Sequence, residues 1–163
     1  DQPLPIGEEQ TISEPPVVAF MLELLSPKEG EKVLEIGAGS GWQAALLAHI
    51  VGVKGKVITL ERIPKLAEMA RCNVGKYKDF AGRVKVILAD GSKGYEREAP
   101  YDRIVAAASA LSIPEIWKKQ LKVGGILVAP VGNSILKLVN EGENNFREEE
   151  YPGFAFVPLI EGD

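Results

Sequence analysis

A glycine loop and two carboxylates, spread over the first ninety residues, have the types and order needed to hold a nucleoside. The loop is Glu35-Ile36-Gly37-Ala38-Gly39-Ser40-Gly41, whose three glycines allow positive φ and close approach of backbone to a ligand. Glu61 follows at roughly the 20-residue remove at which nucleoside sites place an acid, where a carboxylate accepts hydrogen bonds from both ribose hydroxyls. Asp90, next to Gly91, is a second acid that could accept from an exocyclic amino group such as that of adenine. The loop does not fit the dinucleotide pattern G-x-G-x-x-G, because its third glycine comes one residue early and Trp42 stands where the last should be. Its plain alternative is a turn that only joins a strand to a helix.

These residues need strand ends to carry them, and the surrounding pattern supplies them. Val33, Leu34 and Ile36 read as a short buried strand running into the loop, and a helix from about Gln43 to Val51 starts at the loop with its free N–H groups facing the ligand. Lys56 to Glu61 is a second strand, and Ile63, Leu66, Ala67, Ala70, Val74 and Tyr77 form the inner face of a helix with Pro64 in its first turn. Further strands are expected at Arg83–Ala89, Tyr101–Val105, Gly124–Val131 and Ile135–Val139, with a short helix from Pro114 capped by Ser112. Glu141 to Asn145 reads as a polar loop, and Phe154 to Leu159 as the strand that closes the sheet. Before the loop, Asp1 to Gly7 reads as an ordered extended segment without regular structure, and Ser13 as the N-cap of a helix from about Glu14 to Leu25. Strands alternating with helices give a doubly wound, mostly parallel α/β sheet that binds ligands at its C-terminal strand ends, where the loop, Glu61 and Asp90 all fall.

Composition narrows the rest. A chain of 163 residues, 45% hydrophobic and 26% charged, fits one domain spanning residues 1–163. The formal charge of −4 gives no broad attraction for phosphate backbones, so nucleic acid is not an expected partner. No apolar run is long enough to span a bilayer and no secretory signal pattern opens the chain, which points to the cytoplasm. Cys72 is the only cysteine and His49 the only histidine; they are read as a packed thiol and a structural or surface ring, and no metal site is expected.

The pattern E-x-G-x-G-x-G resembles the first motif of the Rossmann-like S-adenosylmethionine methyltransferases. The blocks Asp1 to Gly7, Gln10-Thr11-Ile12-Ser13, Val33 to Gly41, Asp90-Gly91-Ser92, Ala99 to Asp102, Gln120 to Gly125, Pro130 to Gly132 and Phe156 to Leu159 together resemble one family within them, protein-L-isoaspartate O-methyltransferase, from end to end. That resemblance implies a seven-stranded sheet with an antiparallel C-terminal strand, and S-adenosyl-L-methionine as methyl donor with S-adenosyl-L-homocysteine as product. It also implies a monomer acting on isoaspartyl peptides or unfolded proteins in protein repair. Residues 1–13 would form a segment over the cofactor and substrate, with Ser13 orienting the acceptor carboxylate. Gln10, Thr11, Ile12, Glu35, Gly37, Ala38, Gly39, Ser40, Gly41, Glu61, Arg62, Asp90 and Gly91 would surround the donor. The chain departs from the family pattern at Glu14-Pro15-Pro16, where Ala-Pro-His is usual, at Ala107 and Leu111, where threonine and proline are usual, and in having no helical region ahead of Asp1. Since these departures lie on the substrate side, two alternatives stand beside this reading. One is a methyltransferase of another acceptor, a small carboxylic acid or a tRNA; the other is a non-catalytic paralogue that only binds the cofactor.

Overall fold

The computed structural model describes residues 4–160 and residue 162. The chain opens with a hairpin, β1 (Leu4–Gly7) paired antiparallel with β2 (Gln10–Ile12), and continues into α1 (Pro15–Leu25). Then follow β3 (Lys32–Ile36), α2 (Trp42–Val51), β4 (Lys56–Glu61), α3 (Pro64–Gly75), α4 (Lys78–Ala81), β5 (Val84–Leu88) and β6 (Tyr101–Ala106). The last elements are α5 (Glu115–Lys119), β7 (Leu121–Val131), β8 (Ser134–Gly142) and β9 (Asn145–Pro152). Strands β3 to β9 form one seven-stranded sheet in the order β5-β4-β3-β6-β7-β8-β9, parallel from β5 to β7 and antiparallel from β7 to β9. None of the described helices is long and apolar enough to cross a membrane.

The parallel strands are apolar throughout because both faces are covered. Val33, Val57, Val105 and Val128 point to one side and pack under α1 and α2 with Met21, Leu25, Leu47 and Val51. Leu34, Ile58, Ile104 and Leu127 point to the other and pack against Tyr101 and Trp117, both fully buried. β3 and β6 lie side by side, yet the chain leaves them toward opposite edges of the sheet, which opens a crevice at their C-terminal ends.

Several local expectations give way. Phe154 to Leu159 is not a strand: it crosses the C-terminal edge of the sheet, held by an isolated bridge from Ser109 to Pro158 and by the hydrogen bonds Ser109 N to Val157 O (2.7 Å) and Leu159 N to Ser109 O (2.7 Å). The last strand is instead the charged run Asn145–Pro152; it pairs antiparallel with β8, which itself opposes β7, so β8 is the one strand that runs against the other six. Leu4 to Gly7 is a strand because the chain reverses through Gly7, Glu8 and Glu9, all at positive φ, and pairs with Gln10 to Ile12; Asp1 to Pro3 lie outside the described residues. Ser13 does not cap α1, since Glu14 occupies the N-cap position and no side chain caps the helix. Pro114 takes the corresponding position of α5, again without a side-chain cap, so Ser112 has no such role. The Cys72 thiol is exposed on α3 rather than packed.

Candidate active site

The glycine loop is pinned from three sides. Gly37 N and Ala38 N donate to Leu60 O at 2.8 and 3.1 Å, which fixes the loop to β4. Asn73 Nδ2, from α3, donates to Ser40 O at 2.9 Å. Gly41, at φ 82, enters α2, and a Cβ there would stand 3.0 Å from Ala70 O, so the loop sits against the α3 backbone at a distance only glycine permits. Trp42 N–H is taken by Ser40 Oγ at 3.3 Å. The next N–H groups of the α2 first turn, those of Gln43 and Ala44, have no helical acceptor and present a positive dipole end beside the loop.

Glu61 ends β4 with its carboxylate 6% exposed. Oε2 accepts from Gly39 N and Oε1 from Ile63 N, each at 3.0 Å, so one side chain ties the loop to the start of α3. Each oxygen keeps a second lone pair, enough for two ribose hydroxyls. Across the crevice the Asp90-Gly91 turn is anchored by the buried Trp117 indole, whose Nε1 donates to Gly91 O at 2.9 Å.

These elements enclose a cleft of about 710 Å³ including its open mouth. Gln10, Thr11, Gly37, Gly39, Glu61, Arg62 and Gly91 line it, together with Ile6 from the hairpin and the apolar side chains of Ile36, Leu60, Ile63 and Leu66. A second recess opens from it between Thr11, Ile12, Ser13, the loop residues Gly37 to Ser40, Trp42 and Gln43. There Gln43 Nε2 is buried and has no hydrogen-bond partner among the described residues. A third hollow, about 1030 Å³, lies on the outer side between Thr11, Ser13, Glu14, Val17, Ala107 and the segment Gly153 to Val157. Thr11 and Ala107 belong to all three, so they mark the junction.

Most of the expected site residues therefore meet, and three do not. Glu35 is wholly buried in β3 beneath the loop and lines neither cleft nor recess. Its side chain shares the face of Val33, so it points under α2, and burial pushes its carboxyl up to about 8. Thr59 opposite it tempers that rise and Glu61 adds to it, but no group completes a hydrogen bond with either Glu35 oxygen or with Thr59 Oγ1 among the described residues. Asp90 also stands outside the lining. Burial raises its carboxyl, but hydrogen bonds from Ser92 N, Ser92 Oγ and Gly162 N, with Lys93 nearby, outweigh that and leave it below the usual carboxylate range. Gly41 faces α3 and a separate outer hollow. Conversely, sequence reasoning missed Ile6, Gln43, Ala108 and Pro158 to Ile160 as wall residues. The block Phe156 to Leu159 carries a signal for the last of these, but its apolar pattern reads as a strand.

Comparison with known proteins agrees with this layout. The family model described as protein-L-isoaspartate(D-aspartate) O-methyltransferase matches residues 1–163. The chain belongs to that family. It is 52% identical to a protein-L-isoaspartate O-methyltransferase of Methanopyrus kandleri, over 98% of this chain and 72% of the relative. It is 50% identical to the protein of the same name from Methanothrix thermoacetophila, over 98% and 76%. In structure it resembles a candidate protein-L-isoaspartate O-methyltransferase of Plasmodium falciparum solved with S-adenosyl-L-homocysteine, with TM-score 0.89 and 25% identity over 99% of this chain and 81% of that one. Membership makes the chain an S-adenosylmethionine-dependent methyltransferase of protein carboxyl groups. Of the departures from the family pattern, Pro16 sits exposed in the first turn of α1, Leu111 is 99% exposed, and Ala107 alone lies at the junction of the hollows.

Proposed function

We propose that the cleft holds S-adenosylmethionine and that the outer hollow presents to it the free carboxyl of an isoaspartyl residue in a damaged peptide or unfolded chain. The observation that carries this is the shared wall at Thr11 and Ala107, where the nucleoside-type cleft meets an outer groove lined by the segment Gly153 to Val157. Residues fit the donor on chemical grounds. Glu61 keeps lone pairs for a ribose, Gly91 and the apolar residues around it give a flat wall for a base, and Gln43 Nε2 with the α2 first turn supplies donors for an anionic end. Gln10, Thr11 and Ile12 cover the donor from the hairpin side, with Ala38, Ser40 and Arg62 completing the wall. When bound, the donor supplies an electrophilic sulfonium methyl. The chain then has to position rather than activate, since a free carboxyl group ordinarily loses its proton at about pH 4, is already ionised at neutral pH and needs no general base.

Ser13 is the residue assigned to orient that carboxylate. Its hydroxyl stands on both the recess and the groove and, freed from any capping role, makes no hydrogen bond among the described residues. Donation from Ser13 Oγ to one carboxylate oxygen would orient the acceptor, and the apolar residues of the wall would keep water from it. The backbone N–H groups of Ala155, Phe156 and Val157 donate no hydrogen bond among the described residues and can pair with an extended substrate. A net charge of −4 and a groove whose one charged wall residue is a carboxylate favour a peptide over a nucleic acid as acceptor, met by the chain as a monomer. The test is transfer of labelled methyl to an isoaspartyl peptide with its aspartyl twin as control; transfer to neither from a folded, cofactor-binding sample refutes the reading.

A further inference from the structure

The acceptor groove contains a carboxylate that methyl transfer does not require. Glu14 is the only charged residue on its wall; Thr11, Ser13, Val17, Ala107 and the segment Gly153 to Val157 contribute hydroxyls, apolar groups and backbone. The N-cap position of α1 is served by the Glu14 main chain, whose carbonyl accepts from Val17 N and Val18 N at 2.9 and 3.0 Å. Its side chain does not cap the helix and makes no hydrogen bond or ion pair among the described residues. Its backbone is restricted. Pro15 follows directly, which confines Glu14 to extended backbone, observed at φ −56 and ψ 136. The Glu14 backbone is thus held one residue from Ser13, and its unpaired side chain lies on a groove that must admit another carboxylate.

We propose that Glu14 makes this groove selective for isoaspartyl sites flanked by a cationic side chain, a preference that rests on the acceptor assignment above. An isoaspartyl residue brings its own negative charge to Ser13, and Glu14 opposes it. A lysine or arginine beside the isoaspartyl residue cancels that repulsion by pairing with Glu14, while a glutamate in the same place doubles it. The rest of the wall suits such a neighbour, because Val17, Phe154 and Phe156 offer apolar surface for a long aliphatic stem and aromatic faces for its charge.

Three isoaspartyl peptides identical except for one neighbour, lysine, alanine or glutamate, read the preference as kcat/KM at low salt. The lysine peptide should exceed the glutamate peptide by about tenfold, mostly through KM, and the ratio should shrink toward unity in roughly 0.5 M salt as the charges are screened. Glu14→Gln should bring the ratio to within about twofold of unity and Glu14→Lys should invert it, with affinity for S-adenosylhomocysteine unchanged in both as the check on folding. A ratio near one in the natural chain, or one that survives Glu14→Gln, overturns the proposal while leaving the acceptor assignment standing. Failure to methylate any of the peptides, with S-adenosylhomocysteine still bound, overturns the acceptor assignment and this inference with it.

Discussion

Replacing Glu35 by glutamine should make the protein more stable at neutral and alkaline pH and leave the cofactor site untouched. The folded carboxyl is raised from 4.5 to about 8 by burial, so it stays protonated where an unfolded chain has lost the proton. Between those two values the folded state binds more protons than the unfolded one, and stability must fall as pH rises; below 4.5 and above 8 this contribution is flat. At about 1.36 kcal/mol per pH unit, the loss accumulated by pH 7 amounts to about 3 kcal/mol. Glutamine keeps the shape and a donor but cannot ionise, so this slope disappears in the variant. Urea unfolding of both proteins at pH 5, 6, 7 and 8 gives the difference directly, with other titrating groups cancelling in the comparison. The variant should gain on the natural protein steadily across that range, and its affinity for S-adenosylhomocysteine should match, since Glu35 lines no part of the cleft. A difference independent of pH, or a variant that loses cofactor affinity while folded, refutes the reasoning.

Glu61→Ala should weaken binding of S-adenosylhomocysteine about ten- to a hundredfold by calorimetry, because a charged acceptor is lost together with the tie to Gly39 N and Ile63 N. Ser13→Ala should lower kcat/KM for an isoaspartyl peptide by a similar factor with cofactor affinity little changed, as steady-state kinetics beside calorimetry will show. Gly41→Ala should cost roughly 1–3 kcal/mol in urea unfolding, since it forces a side chain into positive φ and against Ala70 O at 3.0 Å.

Legibility followed locality. β4 is read from its residues to the last position, and β3, α2 and α3 to within a residue or two, because periodicity, prolines and glycines mark them within a few residues of chain. The β1–β2 hairpin is marked only by Gly7: Glu8 and Glu9, which follow it at positive φ, are neither the asparagine nor the glycine usual there. β9 hides in an acidic run because it pairs on one edge only and its side chains are mostly exposed. At the site, the glycine loop and Glu61 are legible from spacing. For Glu35 the motif gives the position along the strand but not which face it takes, and for Asp90 it cannot show the hydrogen bond from Gly162, 72 residues away. Gln43 sits on an apolar helix like any spacer, and only the packed structure reveals an amide left without a partner.

The charged run of β9 has a consequence for an enzyme that acts on polypeptide chains. Its outer edge exposes a row of unpaired main-chain groups, the natural template on which a sticky, extended polypeptide adds a strand. Arg147, Glu148, Glu149 and Glu150 stand along that edge, three of the four with the same sign, and Pro152 ends it with no N–H to offer. Like charges along the edge oppose the addition of an extended chain there. Neutralising Glu148 and Glu150 should therefore make the edge more prone to pair with other chains, read as increased light scattering in mixtures with an unfolded protein.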